Sequence, residues 1–355
     1  MASAINVSEE ERKLISAAKQ RPSVSIVTSF EPVIASKEEM AHRLKTTVER
    51  VKRELLSTYP ETKAMSVVLK LQNLVKNINY NTGKRAIALF VSPQSENIFY
   101  LDTPVDDHLI IDNGFSIRDL VYSRKKHIEY LILLLSASSS KMFLGNSFKI
   151  IPVQFNVPDK AIAYRNDIAE RVGNFSDPDK RKEELLDKFL HHIDQGLTIA
   201  LKSYSFPVFV AGTERVLGHF RQITKNGRHL AQFIHGNYID ATEAQVAELM
   251  QPYVVNWINI KQRELLNKLQ NIDGEGKLIY GIRDVWASVN DGNTRLLVVE
   301  KNYRQQLNNQ VQKSFYVRDA VDKIIEKVLQ SGGDVEFVDD DLLKAYKHIA
   351  LIPFY

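Results

Sequence analysis

The sequence predicts a mixed α/β protein built from several domains. Three observations lead there. At 355 residues the chain is longer than one ordinary core, which points to two or three domains. Apolar, β-branched runs alternate with amphipathic stretches of helical period along the whole length. The pattern divides near residues 127 and 270. This gives an α+β N-terminal domain (1–127), a middle domain (128–270) and an α/β/α C-terminal domain (271–355).

In the first domain, residues 8–19 read as a helix, with Ser8 as N-cap and Glu11 at the capping-box spacing. Residues 23–30, SVSIVTSF, alternate and are β-branched, so they read as a strand. Residues 37–56 form a long amphipathic helix with Met40, Leu44, Val48, Val51 and Leu55 on one stripe. A second helix over 67–77 turns Val68, Leu71, Leu74 and Val75 inward. Residues 86–92 and 97–101 pair as a hairpin around Pro93-Gln94-Ser95-Glu96. Residues 115–123 read as a short helix.

The middle domain opens on residues 130–153, YLILLLSASSSKMFLGNSFKIIPV, three strands joined by a polar turn and a Gly-Asn turn. Residues 161–182 are polar and irregular, with Gly173-Asn174 and Asp177-Pro178 as turn signals. Residues 181–203 read as a helix with Leu185, Phe189, Ile193 and Leu197 inward. The apolar strand FPVFVAG (206–212) runs into Thr213 as N-cap and a helix over 214–223, a strand-Gly-helix unit of a layered sheet. Residues 229–239 are short and ambiguous in pattern. Residues 242–270 are helical, with Pro252 as a place for a bend.

In the third domain, residues 279–290 read as a helix, although GIRDVWASV could also start as a strand. TRLLVVE (294–300) is a buried strand. Residues 317–330 form a helix that buries Ala320, Ile324, Ile325 and Val328 and is ended by Ser331-Gly332-Gly333. A strand (334–338), a short helix (339–346) and a last strand (348–355) complete a three-layer unit.

Composition narrows the chemistry. Apolar and charged fractions of 44% and 25% are those of a globular protein. Cysteine is absent, which excludes disulfides, thiolate metal sites and a cysteine nucleophile and fits a reducing compartment. The N-terminus lacks the features of a signal peptide, and the longest apolar run, 130–137, is far short of the ~20 residues that span a bilayer. A cytoplasmic protein without a membrane partner is expected. The formal charge of +4 permits an RNA partner without demanding one.

Few clusters suggest a site. His191 and His192 point about 100° apart on a helix, so they do not converge on a metal, and with Asp194 they read as a solvated face. Asp339-Asp340-Asp341 reads as the acidic opening of a short helix rather than a cation site. No phosphate-loop or dinucleotide fingerprint is present, and no cofactor or metal is expected. Basic residues recur in two places. Tyr164, Arg165, Arg171, Lys180, Arg181 and Lys182 lie in or beside the loop after the first three strands of the middle domain. Arg215, Arg221, Lys225 and Arg228 lie in and after the helix that follows FPVFVAG. Such cations contact phosphates without reading sequence, and Tyr164 adds a stacking surface. The competing reading is ordinary solvated charge, balanced by Asp167, Glu170, Asp177 and Asp179.

The order of these elements resembles the bacterial relatives of the archaeo-eukaryotic peptide-chain release factor and Pelota family. AIALFVSPQSENIFYLDTPV (86–105) is similar to the end of that family's N-terminal domain. Residues 130–153 and PVFVAGTERVLGHFRQIT (207–224) resemble its middle domain. DGNTRLLVVE and VLQSGGDVEFVDDDLLKAYKHIALIPFY resemble its C-terminal domain. The resemblance implies a ribonuclease-H-like middle domain and a C-terminal fold shared with kink-turn-binding ribosomal proteins. Peptide-releasing members carry Gly-Gly-Gln in the loop that here spans 160–182, and this chain has none there. The only Gly-Gly, Gly332-Gly333, precedes Asp334. The strands 131–136 and 206–212 bear no carboxylate of the kind a two-metal nuclease needs. The resemblance therefore implies a non-catalytic factor that binds the ribosome or a tRNA or rRNA surface, in rescue, hibernation or translation quality control, with no DNA specificity. An RNA-processing enzyme or nuclease with an unrecognised site and a protein-interaction scaffold without RNA are the alternatives.

Overall fold

A computed structural model describes residues 14, 21–30, 36–126, 129–146, 149–154, 160–161, 178–203, 206–305 and 319–354. It is a mixed α/β structure with three sheets and, among the described residues, eight α-helices. The chain forms two compact units, one made of Met1–Lys126 with Glu264–Tyr355, the other of His127–Arg263.

In the first unit, β1 (Ser23–Ser29), β2 (Ala86–Val91), β3 (Glu96–Leu101) and β4 (His108–Asp112) form a sheet of order β3-β2-β1-β4. Every neighbour pair is antiparallel. Helices α1 (Lys37–Thr58) and α2 (Glu61–Lys76) cover one face with Met40, Leu44, Val48, Val51, Leu55, Val67, Val68 and Leu71, the stripes that the helical period predicts. The other face buries Val27, Ala88, Phe90, Phe115, Ile117 and Leu120. Strand β2 is buried at every position, so AIALFV carries no polar alternation. A capping box starts α1: Ser36 accepts from the amide of Glu39, and Glu39 accepts from the amide of Ser36. The capping box expected at Ser8 lies outside the described residues. Strand β4 was not expected from the sequence. HLIID is short and bounded by acids, and pairing with β1 decides its state. Helix α3 spans Arg118–Lys126, three residues later than expected at each end.

The second unit holds β5 (Tyr130–Leu135), β6 (Ser140–Gly145), β7 (Ile150–Val153), β8 (Val208–Gly212) and β9 (Leu230–His235), in the order β7-β6-β5-β8-β9. Strands β5, β8 and β9 are parallel, and β6 is antiparallel to β5 and to β7. The sheet is therefore mixed, with β6 alone reversed. Residues 130–135 are buried on both faces, as central parallel strands are. Helices α4 (Pro178–Ser203) and α5 (Glu214–Ile223) pack on one face through Phe189, Ile193, Leu197, Val216, Leu217 and Phe220. Helix α6 (Glu243–Gly274) covers the other with Val246 and Met250. The ambiguous stretch 229–239 contains β9, whose pairing with β8 decides its state. Pro252 lies inside α6.

The third sheet belongs to the first unit. It consists of β10 (Ile279–Tyr280), β11 (Leu296–Glu300), β12 (Asp334–Val338) and β13 (Ile349–Ile352), in the order β10-β13-β11-β12. Strands β11 and β12 are parallel, and β13 runs antiparallel to β11. Helices α7 (Ile282–Asn290) and α8 (Ala320–Gln330) cover one face, and Leu269, Leu343 and Tyr346 the other. The Gly-Gly pair ends α8 as read from sequence. The amide of Gly333 donates to Val328, that of Gly332 to Leu329, and Gly332 has φ 79°. The helix expected over 339–346 is instead a set of turns with one 3-10 turn, Lys344–Tyr346. Asp339 pairs with Lys301 and Asp340 accepts from Asn302, while Asp341 sits at φ 67°. The acids therefore tie the turn to the end of β11 rather than cap a helix.

Candidate nucleic-acid interface

The cations expected to form an interface divide sharply by position. Tyr164, Arg165 and Arg171 lie outside the described residues. Lys180 and Arg181 fall in the first turn of α4, and Lys182 follows them as an exposed residue. Arg215, Arg221, Lys225 and Arg228 are exposed on α5 and the segment after it.

Helix α5 buries Val216, Leu217 and Phe220, which leaves two exposed edges. One edge faces α4. There Arg215 lies 3.4 Å from Glu183, and His219, four residues on, lies 2.9 Å from Asp187. Glu183 and Asp187 have the same spacing, so two helical turns match in register. Arg215 and Glu183 are 62% and 54% exposed, which makes this a weak surface pair. Arg221 is on the other edge. Its guanidinium lies 4.6 Å from the ring centre of Phe233 on β9. The ring attracts the cation and holds the end of Arg221 beside β9. Arg215 and Arg221 therefore lie on different edges of α5.

Lys225 and Arg228 are placed by a turn that sequence reasoning missed. Asp194 on α4 is only 4% exposed. Its carboxyl group accepts from Thr224 Oγ1 (2.6 Å), the Lys225 amide (3.0 Å) and Asn226 Nδ2 (2.9 Å). Asn226 also donates to Thr198 Oγ1, and Thr198 to the carbonyl of Asp194. One buried acid thus fixes Thr224, Lys225 and Asn226 against α4. This corrects the solvated-face reading of Asp194. His191 is exposed, as that reading holds, but Asp194 points inward because the turn offers it three donors. The signal was there in Asp194 and Thr198, one helical turn apart, and in the polar Thr-Lys-Asn-Gly turn. Arg228 Nε donates to His229 Nε2 at 3.2 Å.

The expected N-cap Thr213 has the right position and extended backbone, but its hydroxyl makes no capping bond. Among the described residues, no group of three or more His, Asp or Glu side chains is placed to hold a metal ion. No helix among them is long and apolar enough to cross a membrane. The arrangement presents an arginine over an aromatic ring and an anchored turn with Lys225 and Arg228 on or beside it, donors suited to an anionic backbone.

Residues 129–293 match the model of bacterial archaeo-eukaryotic release factor family 3. Over that segment the chain is similar to the bacterial archaeo-eukaryotic release factors. This agrees with the resemblance read from the strands, and the segment carries the whole sheet β7-β6-β5-β8-β9. No curated protein matches this chain. Solved structures similar to it include archaeal Pelota in a ribosome-bound model with ABCE1. That match has 16% identity, covers 74% of this chain and 72% of the other, and has a TM-score of 0.45. The archaeal termination factor aRF1 has 15% identity, 97% and 96% coverage and a TM-score of 0.24. Dom34 of S. cerevisiae, described as a translation termination-like factor in RNA quality control that interacts with Hbs1, has 13% identity, 79% and 82% coverage and a TM-score of 0.40.

Proposed function

We propose that this chain is a non-catalytic, release-factor-like protein that binds the ribosome, through tRNA or rRNA, in rescue, hibernation or translation quality control. The observation that carries the reading is a family segment, 129–293, in which the loop after β7 holds no Gly-Gly-Gln. A release-factor scaffold without the hydrolytic tripeptide retains shape and binding as its means of action. Arg221, Lys225 and Arg228 supply cations at and beyond the end of α5, two of them on or beside the turn that Asp194 anchors. Anchoring matters because an ordered turn loses less entropy when it meets a phosphate backbone. The loop residues Tyr164, Arg165 and Arg171, with Lys180, Arg181 and Lys182, are proposed as the second part of the same surface.

Co-sedimentation with ribosomes over a salt series tests this. The protein is expected in the ribosomal pellet at low salt and to leave it as salt rises. Replacing Arg221, Lys225 and Arg228 together by alanine should weaken binding. The slope of log K against log salt should fall by about one for each phosphate left without its cation. A protein that stays in the supernatant at every salt concentration and growth state overturns the proposal. Divalent-metal-dependent cleavage of structured RNA, abolished by changing one carboxylate, would assign it to an RNA-processing enzyme instead.

A further inference from the structure

Within the first compact unit, α3 and the residues before it meet the C-terminal sheet along a polar seam. Arg118 is at its centre and is 4% exposed. Its Nη2 donates to the carbonyls of Glu300 (3.2 Å) and Lys301 (2.8 Å), at the end of β11. Its Nη1 is buried and makes no hydrogen bond. Asp319 stands 3.7 Å from it and Asp322 4.0 Å. Asp319 also caps α8 by accepting from the amide of Asp322, and Ser116 Oγ donates to Asp322. Asp119, next to Arg118 on α3, faces His108 of β4 at 3.4 Å. Around this centre, Lys125 pairs with Asp334 and Glu336, Lys323 with Asp112, and Tyr122 meets Phe337 edge-on.

The centre is not a balanced ion pair. Asp119, Asp319 and Asp322 gather around one buried arginine, with Arg304 as the second cation acting on Asp119 and Asp319. Separations of 3.7 and 4.0 Å without a hydrogen bond recover little of the desolvation cost of the charges. We propose that this seam is a proton-gated latch between the N-terminal and C-terminal sheets of the unit, tightened when Asp319 takes up a proton and loosened when it loses it. Burial, then Asp322, pushes the Asp319 carboxyl from its ordinary 3.8 up to about 6, and Tyr303 shares its surroundings. Burial also raises Asp119. A folded-state value above the unfolded one has a definite sign. The stabilisation is complete below 3.8 and is lost as pH rises through about 6. The latch is thus tighter in mild acid than at neutral pH, the opposite of ordinary acid denaturation.

Hydrogen exchange of the full chain, corrected for intrinsic rates, tests the proposal at about pH 5 and about pH 7.5. Amides of α3 and α8 are expected to open several-fold less often at the lower pH, up to about tenfold. Asp319→Asn keeps a good N-cap and removes that titration, so the pH dependence of the seam should shrink to what Asp119 contributes. Asp341→Asn, an exposed acid in the same unit, should leave the wild-type dependence in place. Three results overturn the latch: no slowing in the wild type, a dependence that Asp319→Asn leaves undiminished, or one that Asp341→Asn removes. Should Asp319→Asn fail to fold, the wild-type and Asp341→Asn comparison still decides.

Discussion

Asp194 in the second unit and Arg118 in the first are each 4% exposed, yet their surroundings are opposite. Asp194 meets donors from three successive residues of one turn, and its neighbours Thr198 and Asn226 bond to each other as well. Arg118 meets two carbonyls with one nitrogen, while the other faces acids at ion-pair distance without a hydrogen bond. Equal burial therefore has different consequences. A buried charge whose partners match it holds a segment in one place. One surrounded by an excess of opposite charge makes an interface that responds to protons.

The largest expected effect is at Arg118. Arg118→Ala removes both carbonyl bonds and leaves Asp319 and Asp322 without their nearest cation. Denaturant unfolding should show a loss of about 3–5 kcal/mol. A loss below about 1 kcal/mol would mean that the seam does not depend on the arginine, and the contrast would collapse. Asp194→Ala should follow, at about 2–3 kcal/mol, because the Thr224 hydroxyl, the Lys225 amide and the Asn226 amide lose their acceptor together. Exchange at the Lys225 amide should rise with it, and ribosome binding should weaken even though every cation is retained. Asp194→Asn, which keeps one acceptor oxygen, should fall between it and the wild type. Asp319→Asn sharpens the comparison by its sign: it should stabilise the unit, and by about 1 kcal/mol more at neutral pH than in mild acid, read from paired melts. The smallest effect is at the exposed pair. Arg215→Ala should change stability by under about 0.5 kcal/mol, since Glu183 remains hydrated without it.

Much of the fold was legible because burial leaves a periodic mark. The stripe Met40, Leu44, Val48, Val51, Leu55 could only be a helix face, and YLILLL could only be a strand covered on both sides. FPVFVAG followed by a helix placed β8 and α5 within two residues, and Gly332-Gly333 is the helix end that its sequence announced. HLIID and LAQFIH were not legible as strands. Each is five or six residues long, and a sheet edge, not local preference, decides its state. The cations were legible as residue types and not as a surface. Arg215 and Arg221 are six apart in sequence and lie on opposite edges of one helix, where one meets Glu183 and the other Phe233.

What the sequence determined by itself was the succession of helices and strands, the resemblance that segment 129–293 bears out, and the missing Gly-Gly-Gln. All three are local properties of the chain, set by which residues are adjacent or one turn apart. Which charges are buried, and against what, was decided only by the tertiary structure. Asp194 is 30 residues from Thr224 and Arg118 about 200 from Asp319, and nothing in either neighbourhood names the other. The physical reason is desolvation. A charge removed from water must find its partners wherever the fold brings them, and that placement is a property of the whole packed chain.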